Sequence, residues 1–219
     1  MKKIYLVTAL ACCALHPTLA QKQEECKPVN LHCDHLINPL GIDNANPRLS
    51  WMLDDARQGA RQTAYQIIVS TDSLKANNEN GEIWNSGKKE SDQILVTYPE
   101  KNLQPFTKYY CKVNVWDKDG KKATSDINSF ETGMMGMENW QGAWISDNRD
   151  INYKPAPYFR KTFDTQKKVK SARAYIAVAG LYELYINGEK IGNHRLDPLY
   201  TRFDRRNFYV TYDVTNQLQ

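Results

Sequence analysis

The first half of the chain alternates between apolar and polar residues. From Asn30 to Thr132 the apolar residues recur with a period near two, and turn residues separate the runs. This pattern predicts a sandwich of short antiparallel strands, and no window shows a convincing helical period. The predicted strands cover residues 48–53, 64–70, 82–87, 94–98, 108–117 and 128–132.

The longest predicted strand, residues 108–117, separates its side chains onto two faces, because successive residues of a strand point in opposite directions. One face carries Tyr109, Cys111, Val113 and Val115, and the other carries Tyr110, Lys112, Asn114 and Trp116. The first face is the more apolar one and is expected to lie in the core. Cys111 is therefore predicted to be a buried free thiol with little reactivity.

The second half begins after a linker, residues 133–140, where the composition changes. Residues 172–180 alternate as a strand, and Asn187 and Gly188 then form the centre of a type I′ turn, the strongest short-range sign of a β-hairpin. The alternation places Leu184, Ile186 and Ile191 towards the core and Glu183, Tyr185 and Lys190 towards solvent. The hairpin is explained without any ligand.

The N-terminus has the composition of a secretory signal peptide. Two lysines precede the apolar run of residues 4–15, and Thr18 and Ala20 provide the small residues that a signal peptidase needs. Residues 1–20 are predicted to be removed before Gln21, which makes the protein periplasmic or extracellular. Lipid attachment at Cys13, with anchoring at the cell surface, is an alternative. The run is shorter than the roughly 20 residues that cross a bilayer, so no membrane span is expected.

The net charge and the cysteine content restrict the partners, disulfides and metal sites that can be expected. Removal of two lysines with residues 1–20 lowers the formal charge from +4 to +2, which gives no electrostatic reason to expect a nucleic-acid partner. Cys26 and Cys33 can close a short disulfide loop, which the sequence leaves undecided. His32 and His35 are too close together for an ordinary zinc site, so they are interpreted as part of a solvated strand edge. No metal and no cofactor are expected.

The segment "LQPFTKYYCKVNV", residues 103–115, resembles the Leu-x-Pro-x-Thr-x-Tyr segment of fibronectin type III domains. Leu103, Pro105, Thr107 and Tyr109 occupy the four marked positions. The pattern has a physical reason, since the proline ends the preceding pairing and the phenol reaches back to an upstream backbone group. The resemblance implies a fibronectin III or immunoglobulin-like sandwich over residues 27–133, with Trp51 in its core.

The second module, residues 134–219, closely resembles the N-terminal β-sandwich of bacterial α-L-rhamnosidases. The resemblance rests on "WQGAWI", "YFRKTF", the hairpin "YELYINGEKIG", the turn "LDPLY" and the strand end "YDVT". It implies an all-β protein of two consecutive antiparallel sandwiches, the second a jelly-roll, galactose-binding-like one that is incomplete at its C-terminus. In that family an (α/α)-barrel further along the chain supplies the two glutamic acids of an inverting hydrolysis.

The resemblance implies that this chain is the accessory, substrate-recognition region of an exported α-L-rhamnosidase, a glycosidase, without the catalytic domain. The expected partners are rhamnose-containing glycans or glycosides and the missing downstream catalytic domain. A stand-alone exported carbohydrate-binding or adhesion module is the alternative.

Aromatic and polar residues of the second module are candidates for contact with a sugar. Tyrosine rings can stack on the apolar face of a sugar, and amide, guanidinium and carboxylate groups can bind its hydroxyls. The candidates are Tyr182, Tyr185, Asn187, Tyr200, Arg202 and Asp204, with the ring of Phe203 beside them. Glu183, Asp197 and Asp204 lie among arginines and are interpreted as solvated ion pairs, so no catalytic residue is assigned. "DKDG", residues 117–120, is interpreted as a hairpin turn and not as a calcium loop.

Overall fold

The computed structural model describes residues 26–99, 102–150, 152 and 155–218. These residues are almost entirely β-structure, which confirms the predicted fold class. The strands are β1 (Lys27–Cys33), β2 (Arg48–Asp54), β3 (Gln62–Ser70), β4 (Trp84–Asn85), β5 (Lys89–Glu90), β6 (Leu95–Thr97), β7 (Lys108–Asp117), β8 (Lys122–Thr124), β9 (Asn128–Glu131), β10 (Arg173–Ala177), β11 (Tyr185–Ile186), β12 (Glu189–Lys190) and β13 (Tyr209–Asp213). One α-helix, α1 (Ser73–Asn77), and two 3₁₀ turns, Met137–Asn139 and Asn216–Leu218, complete the described elements.

The first module is a sandwich of two antiparallel sheets. One sheet has the order β1-β2-β6, and the other has the order β4-β3-β7-β8, with β5 also paired to β3 and β9 to β7. The two sheets enclose one continuous apolar core. Its fully buried large side chains include Trp51, Tyr98, Tyr109, Phe130, Ile67, Val69, Val113 and Val115. The alternation in β7 therefore predicted its core-facing residues correctly: Tyr109, Cys111, Val113 and Val115 are all buried.

The other face of β7 is also covered, which the alternation does not predict. Lys112 is 8% exposed and Asn114 is fully buried. Helix α1 packs against β3 and β7, and the Lys112 Nζ donates to the Asn77 carbonyl at the end of this helix over 2.8 Å. The Asp72 carboxylate caps the first turn by accepting from the Leu74 and Lys75 amides. A five-residue helix is too short to produce a helical period, so the sequence pattern missed it.

The corner before β7 is built as the Leu-x-Pro-x-Thr-x-Tyr segment implies. The Gln104 amide donates to the Tyr109 hydroxyl over 2.7 Å, and Tyr109 is only 1% exposed. The ring of Tyr109 stacks on Phe130 at a centroid distance of 5.2 Å. The hydrogen bond joins the loop ahead of β7 to the core, as expected for a tyrosine corner.

Trp51 lies in the core, as predicted, and its indole nitrogen has a buried partner. The indole Nε1 donates to the Gln62 Oε1 over 2.9 Å. The Gln62 amide nitrogen in turn donates to the carbonyls of Ser91 and Gln93. This buried polar network joins the two sheets without leaving the indole nitrogen unpaired.

The cysteines of the first module are free and buried. Cys26 lies immediately before β1 and Cys33 ends it, so at about 3.3 Å per residue their Cα atoms are roughly 20 Å apart. A disulfide needs less than about 7 Å, so the short loop that the sequence allowed is ruled out. Cys111 is the buried free thiol that was predicted, and burial raises its pKa to about 12.

The "DKDG" segment forms the turn between β7 and β8, which confirms its interpretation as a hairpin turn. The Asp117 Oδ1 accepts from the amides of Asp119 and Lys121 over 2.9 and 2.8 Å. Its Oδ2 pairs with the Arg57 guanidinium over 2.7 Å, and Arg57 also binds Asp55. Burial acts to raise the pKa of Asp117, but the hydrogen bond from Arg57 and the two amides lower it overall. This ion-pair cluster lies entirely within the first module.

The second module contains two small antiparallel pairs, β10 with β13 and β11 with β12. The described residues between Trp140 and Ser171 form no strand, and most of their side chains are exposed. No helix in the described part of the chain combines the length and the apolar character needed to cross a membrane. The predicted signal peptide falls on residues outside the described ranges.

Replacing Tyr109 with phenylalanine should lower the free energy of unfolding by about 1–3 kcal/mol, because the buried Tyr109 side chain loses the hydroxyl that accepts from the Gln104 amide. Urea unfolding followed by tryptophan fluorescence measures the change. Tyr110→Phe is the matched control, since this ring lies on the other face of the same strand. Equal stabilities of Tyr109→Phe and the unsubstituted chain would show that the corner hydrogen bond contributes nothing.

Candidate functional site

The hairpin of β11 and β12 has the predicted geometry. Asn187 and Gly188 have φ angles of 53° and 83°, as a type I′ turn requires, and the Ile191 amide donates to the Leu184 carbonyl over 2.8 Å. Ile191 is buried, whereas Tyr185 points outwards, as the alternation predicted. The Asn187 side chain donates to the Gln217 carbonyl over 2.8 Å. It therefore fastens the hairpin to the following segment in addition to shaping the turn.

Tyr182 is held in a chain of hydrogen bonds inside the second module. Its hydroxyl donates to the Tyr212 hydroxyl over 3.0 Å, and Tyr212 donates to the Asp197 Oδ2 over 3.1 Å. The Tyr182 amide also donates to the Asp197 carbonyl over 3.1 Å. Burial raises the pKa of Tyr182, with a further contribution from Tyr212. Tyr182 thus joins the hairpin to the segment that follows it and does not present an exposed ring.

Gly192 permits this arrangement. It has a φ of +74°, and a Cβ atom there would lie 2.7 Å from the Tyr212 ring. Any larger residue would displace the phenol that links Tyr182 to Asp197. The glycine after the hairpin is therefore required by close packing.

Tyr185 belongs to a solvent-facing polar cluster on the hairpin. Its hydroxyl donates to the Glu183 Oε2 over 2.9 Å, and the Lys190 ammonium binds the other oxygen of the same carboxylate. The hydrogen bond from Lys190 makes the largest contribution to lowering the pKa of Glu183, and the hydrogen bond from Tyr185 makes the next largest. Glu183 is therefore ionised at neutral pH and has no proton to give as a general acid.

Tyr200, Arg202 and Asp204 lie together on one exposed loop, which we call the aromatic loop (residues 196–208). Tyr200 is 83% exposed, and its ring meets that of Phe203 edge-on at a centroid distance of 5.2 Å. Arg202 forms a two-pronged ion pair with Asp204 over 2.9 and 3.0 Å. An exposed ring beside a guanidinium and a carboxylate offers both stacking and hydrogen bonding to a ligand.

Hydrogen bonds of the backbone around Arg202, Arg205 and Arg206 give the aromatic loop its shape. The amides of Arg205 and Arg206 both donate to the Arg202 carbonyl over 2.9 Å, and the Thr201 hydroxyl binds the Arg206 carbonyl. The Arg206 guanidinium lies 4.3 Å from the centre of the Phe208 ring. These contacts form a closed turn that holds Tyr200 outwards.

The six candidate residues thus divide into three groups. Tyr200, Arg202 and Asp204 share the aromatic loop, Tyr185 and Asn187 lie on the hairpin, and Tyr182 is internal. Other exposed aromatic side chains of the second module were not among the candidates, because they lie outside the predicted hairpin and turn: Trp144, Tyr158, Phe159 and Phe163. The two adjacent aromatic residues at 158–159 were the sequence feature that could have indicated these exposed rings.

Among the residues that the structure describes, no group of three or more histidine, cysteine or acidic side chains is placed to hold a metal ion. Asp197 accepts from Tyr212 and lies 3.1 Å from the His194 Nδ1, and Asp204 is paired with Arg202. Asp197 and Asp204 are therefore engaged in contacts within the module.

Comparison with known proteins identifies both halves of the chain. Residues 28–136 match the family described as "Rha78A-like, N-terminal immunoglobulin domain", and residues 167–219 match "Alpha-L-rhamnosidase N-terminal domain". A curated α-L-rhamnosidase of Formosa agariphila is 33% identical over 90% of this chain. The chain spans 24% of the length of that relative.

Solved structures agree with these matches. The α-L-rhamnosidase of Dictyoglumus thermophilum is 40% identical, with a TM-score of 0.82 over 88% of this chain and 24% of that protein. The Streptomyces avermitilis α-L-rhamnosidase, solved in complex with L-rhamnose, is 28% identical, with a TM-score of 0.54 over 89% of this chain and 21% of its own. The chain therefore belongs to the α-L-rhamnosidase family, of which it is the N-terminal region, an immunoglobulin-like domain followed by the rhamnosidase N-terminal domain.

Proposed function

We propose that this chain is the accessory, substrate-recognising region of an exported α-L-rhamnosidase. The observation that carries the proposal is the pair of family matches, over residues 28–136 and 167–219, together with the alignment to a curated relative, of whose length it covers 24%. In this proposal the chain folds and positions its second module, and hydrolysis takes place in a catalytic domain that follows. Rhamnose-containing glycans or glycosides are the proposed substrates.

The state of the acidic residues supports an accessory role. An inverting glycosidase needs one carboxylic acid with a raised pKa and a carboxylate at a distance that leaves room for water. The pKa of Glu183 is instead lowered by Lys190, and Asp204 is exposed and paired with Arg202. Glu183 therefore holds no proton for a leaving group at neutral pH, and the Asp204 carboxylate is engaged by the guanidinium of Arg202.

The aromatic loop supports a role in recognition. Tyr200 and Phe203 present two rings at an angle; Arg202 lies between them in the sequence, and its partner Asp204 directly follows Phe203. A sugar can stack its apolar face on Tyr200 while its hydroxyls bind the guanidinium and the carboxylate. Tyr185, exposed on the hairpin, is proposed as a second contact, and Asn187 and Tyr182 are assigned a supporting role, because their polar groups are bound within the module.

Export is the part of the proposal that rests on the sequence alone. The two lysines, the apolar run 4–15 and the small residues at 18 and 20 are the supporting pattern. The mass of the exported chain tests this point. A chain that begins at Gln21 agrees with a signal peptide, a lipid-modified Cys13 agrees with a surface anchor, and an uncleaved cytoplasmic chain contradicts export.

The purified chain should release no rhamnose from an aryl α-L-rhamnoside above the background of a mock preparation. The reason is that the pKa of Glu183 is lowered, while Asp197 accepts from Tyr212 and Asp204 is paired with Arg202. The assay is release of the aryl group, with Glu183→Gln, Asp197→Asn and Asp204→Asn as variants. Turnover that persists through purification and disappears in one of these variants would assign catalysis to this chain.

The purified chain should bind the same rhamnoside weakly, and Tyr200→Ala should weaken binding by about fivefold, since stacking on one ring contributes about 1 kcal/mol. Amide chemical-shift titration measures the Kd. Phe163→Ala, an exposed ring of the same module outside the aromatic loop, is the matched control. Unchanged affinity in Tyr200→Ala would remove this loop from the recognition surface, and binding without any turnover in the chain would equally fit a stand-alone carbohydrate-binding module.

A further inference from the structure

The two modules meet along a surface formed by the end of β9 and by the strand pair β10–β13. Four side chains cross or complete this surface with short polar contacts, two from each module. We call Asp43, Glu131, Arg173 and Tyr209 the inter-module latch. Their contacts are separate from the aromatic loop and from any sugar contact.

The first half of the latch is a two-pronged ion pair. The Arg173 Nε lies 2.7 Å from the Glu131 Oε2, and its Nη2 lies 2.6 Å from the Glu131 Oε1. The side chains are only 14% and 10% exposed. Arg173 is also 2.9 Å from Asp213, its partner in the register of β10 and β13. Removing one partner of such a buried pair leaves an uncompensated charge, so the pair strongly favours the docked arrangement.

The second half of the latch holds the start of the linker. The Tyr209 hydroxyl donates to the Asp43 Oδ1 over 2.8 Å and accepts from the Met134 amide over 3.1 Å. The Met135 amide donates to the same Asp43 oxygen over 2.9 Å. Tyr209 of the second module thereby fixes the Met134 amide, and Asp43 of the first module fixes the Met135 amide, at the point where the chain leaves the first module.

Backbone and rings also approach closely at this surface. A Cβ atom on Gly133 would lie 1.8 Å from the Tyr209 hydroxyl, and one on Gly41 would lie 2.5 Å from the Thr211 Oγ1. Such distances leave no room for a side chain at either glycine. Both positions are glycine in the sequence, which is what close docking of the two modules requires.

An aromatic contact lies beside the polar ones. The rings of Phe106 and Tyr175 meet edge-on at a centroid distance of 5.1 Å, and Tyr175 lies 6.1 Å from Tyr209. Phe106 belongs to the corner before β7, and its amide donates to the Gly133 carbonyl over 2.9 Å. Apolar burial therefore reinforces the ion pair across the same surface.

The first-module side of the latch is itself anchored to the sandwich. The Glu131 amide donates to the Pro39 carbonyl, and the Ile42 amide donates to the Glu131 carbonyl, each over 2.9 Å. The Thr132 hydroxyl donates to the Gln104 carbonyl over 2.6 Å, which ties this strand end to the tyrosine corner. A displacement of the second module would therefore have to break contacts that continue into the core.

We propose that the inter-module latch joins the two modules into one rigid unit, so that the aromatic loop has a fixed orientation relative to the immunoglobulin-like domain. Domains joined by a linker move relative to each other unless their interface prevents it. Here the interface combines a bidentate buried ion pair, a phenol shared between a carboxylate and a linker amide, and two glycines in close contact. The proposal does not depend on the nature of the ligand.

The test is ¹⁵N relaxation of the purified chain. In the unsubstituted chain, amides of β3 and β7 and amides of β10 and β13 should report the same rotational correlation time. In Arg173→Met and Glu131→Gln, the two sets should report different times, because the modules then tumble separately. Arg57→Met is the matched control, since it breaks an ion pair within the first module and should leave the two times equal.

Tyr209→Phe keeps the ring and serves as a milder variant if the charge substitutions prevent folding. Loss of the hydroxyl should speed hydrogen exchange of the Met134 amide on the order of tenfold. Unequal correlation times in the unsubstituted chain would overturn the proposal. So would equal times in the charge variants together with unchanged exchange at Met134 in Tyr209→Phe.

Discussion

Strand β9 is the element on which both modules depend. Phe130 points into the core of the sandwich, where it stacks on Tyr109, and the next residue, Glu131, points the other way and binds Arg173 of the second module. The period of two in a strand makes this division unavoidable, because adjacent side chains must face opposite sides. The strand that closes the first core therefore also determines where the second module docks.

The same constraint explains why the tyrosine corner matters beyond its own module. The Thr132 hydroxyl binds the Gln104 carbonyl, and the Gln104 amide binds the Tyr109 hydroxyl. The corner, the end of β9 and the start of the linker thus form one hydrogen-bonded assembly. Such an assembly suits the accessory role proposed for this chain, as a support that holds the proposed recognition surface in place.

The second module illustrates how environment decides what acidic residues can do. Glu183, Asp197 and Asp204 are the acidic residues of this module that the sequence offers as candidates for catalysis. Each of them accepts hydrogen bonds or pairs with a cation inside the module. Hydrogen bonds and ion pairs hold these carboxylates within the module, and Lys190 and Tyr185 lower the pKa of Glu183. The exposed Tyr200 ring lies on the same loop as the Arg202–Asp204 ion pair, which suits the recognition role proposed for this surface.

The sequence by itself determined the local features of this protein. Alternation located β2, β3, β7 and β9 to within a few residues, and Asn187–Gly188 determined the hairpin, because period and turn type depend on neighbouring residues only. It also placed Tyr200, Arg202 and Asp204 together, since they lie within five positions on one loop. It missed α1 and the strands β5 and β8, which are too short to carry a period, and also β1, whose alternation is interrupted by an irregular register between Val29 and His32.

Only the tertiary structure decided the features that depend on distant partners. It separated Cys26 from Cys33 along β1, buried Lys112 beneath α1, and bound the Tyr182 and Asn187 side chains within the module. It also brought Tyr209 to Asp43, 166 positions away, and Arg173 to Glu131, 42 positions away. No periodicity links residues so far apart, because their contact is selected by the packing of whole sheets and by the free energy of burying paired charges.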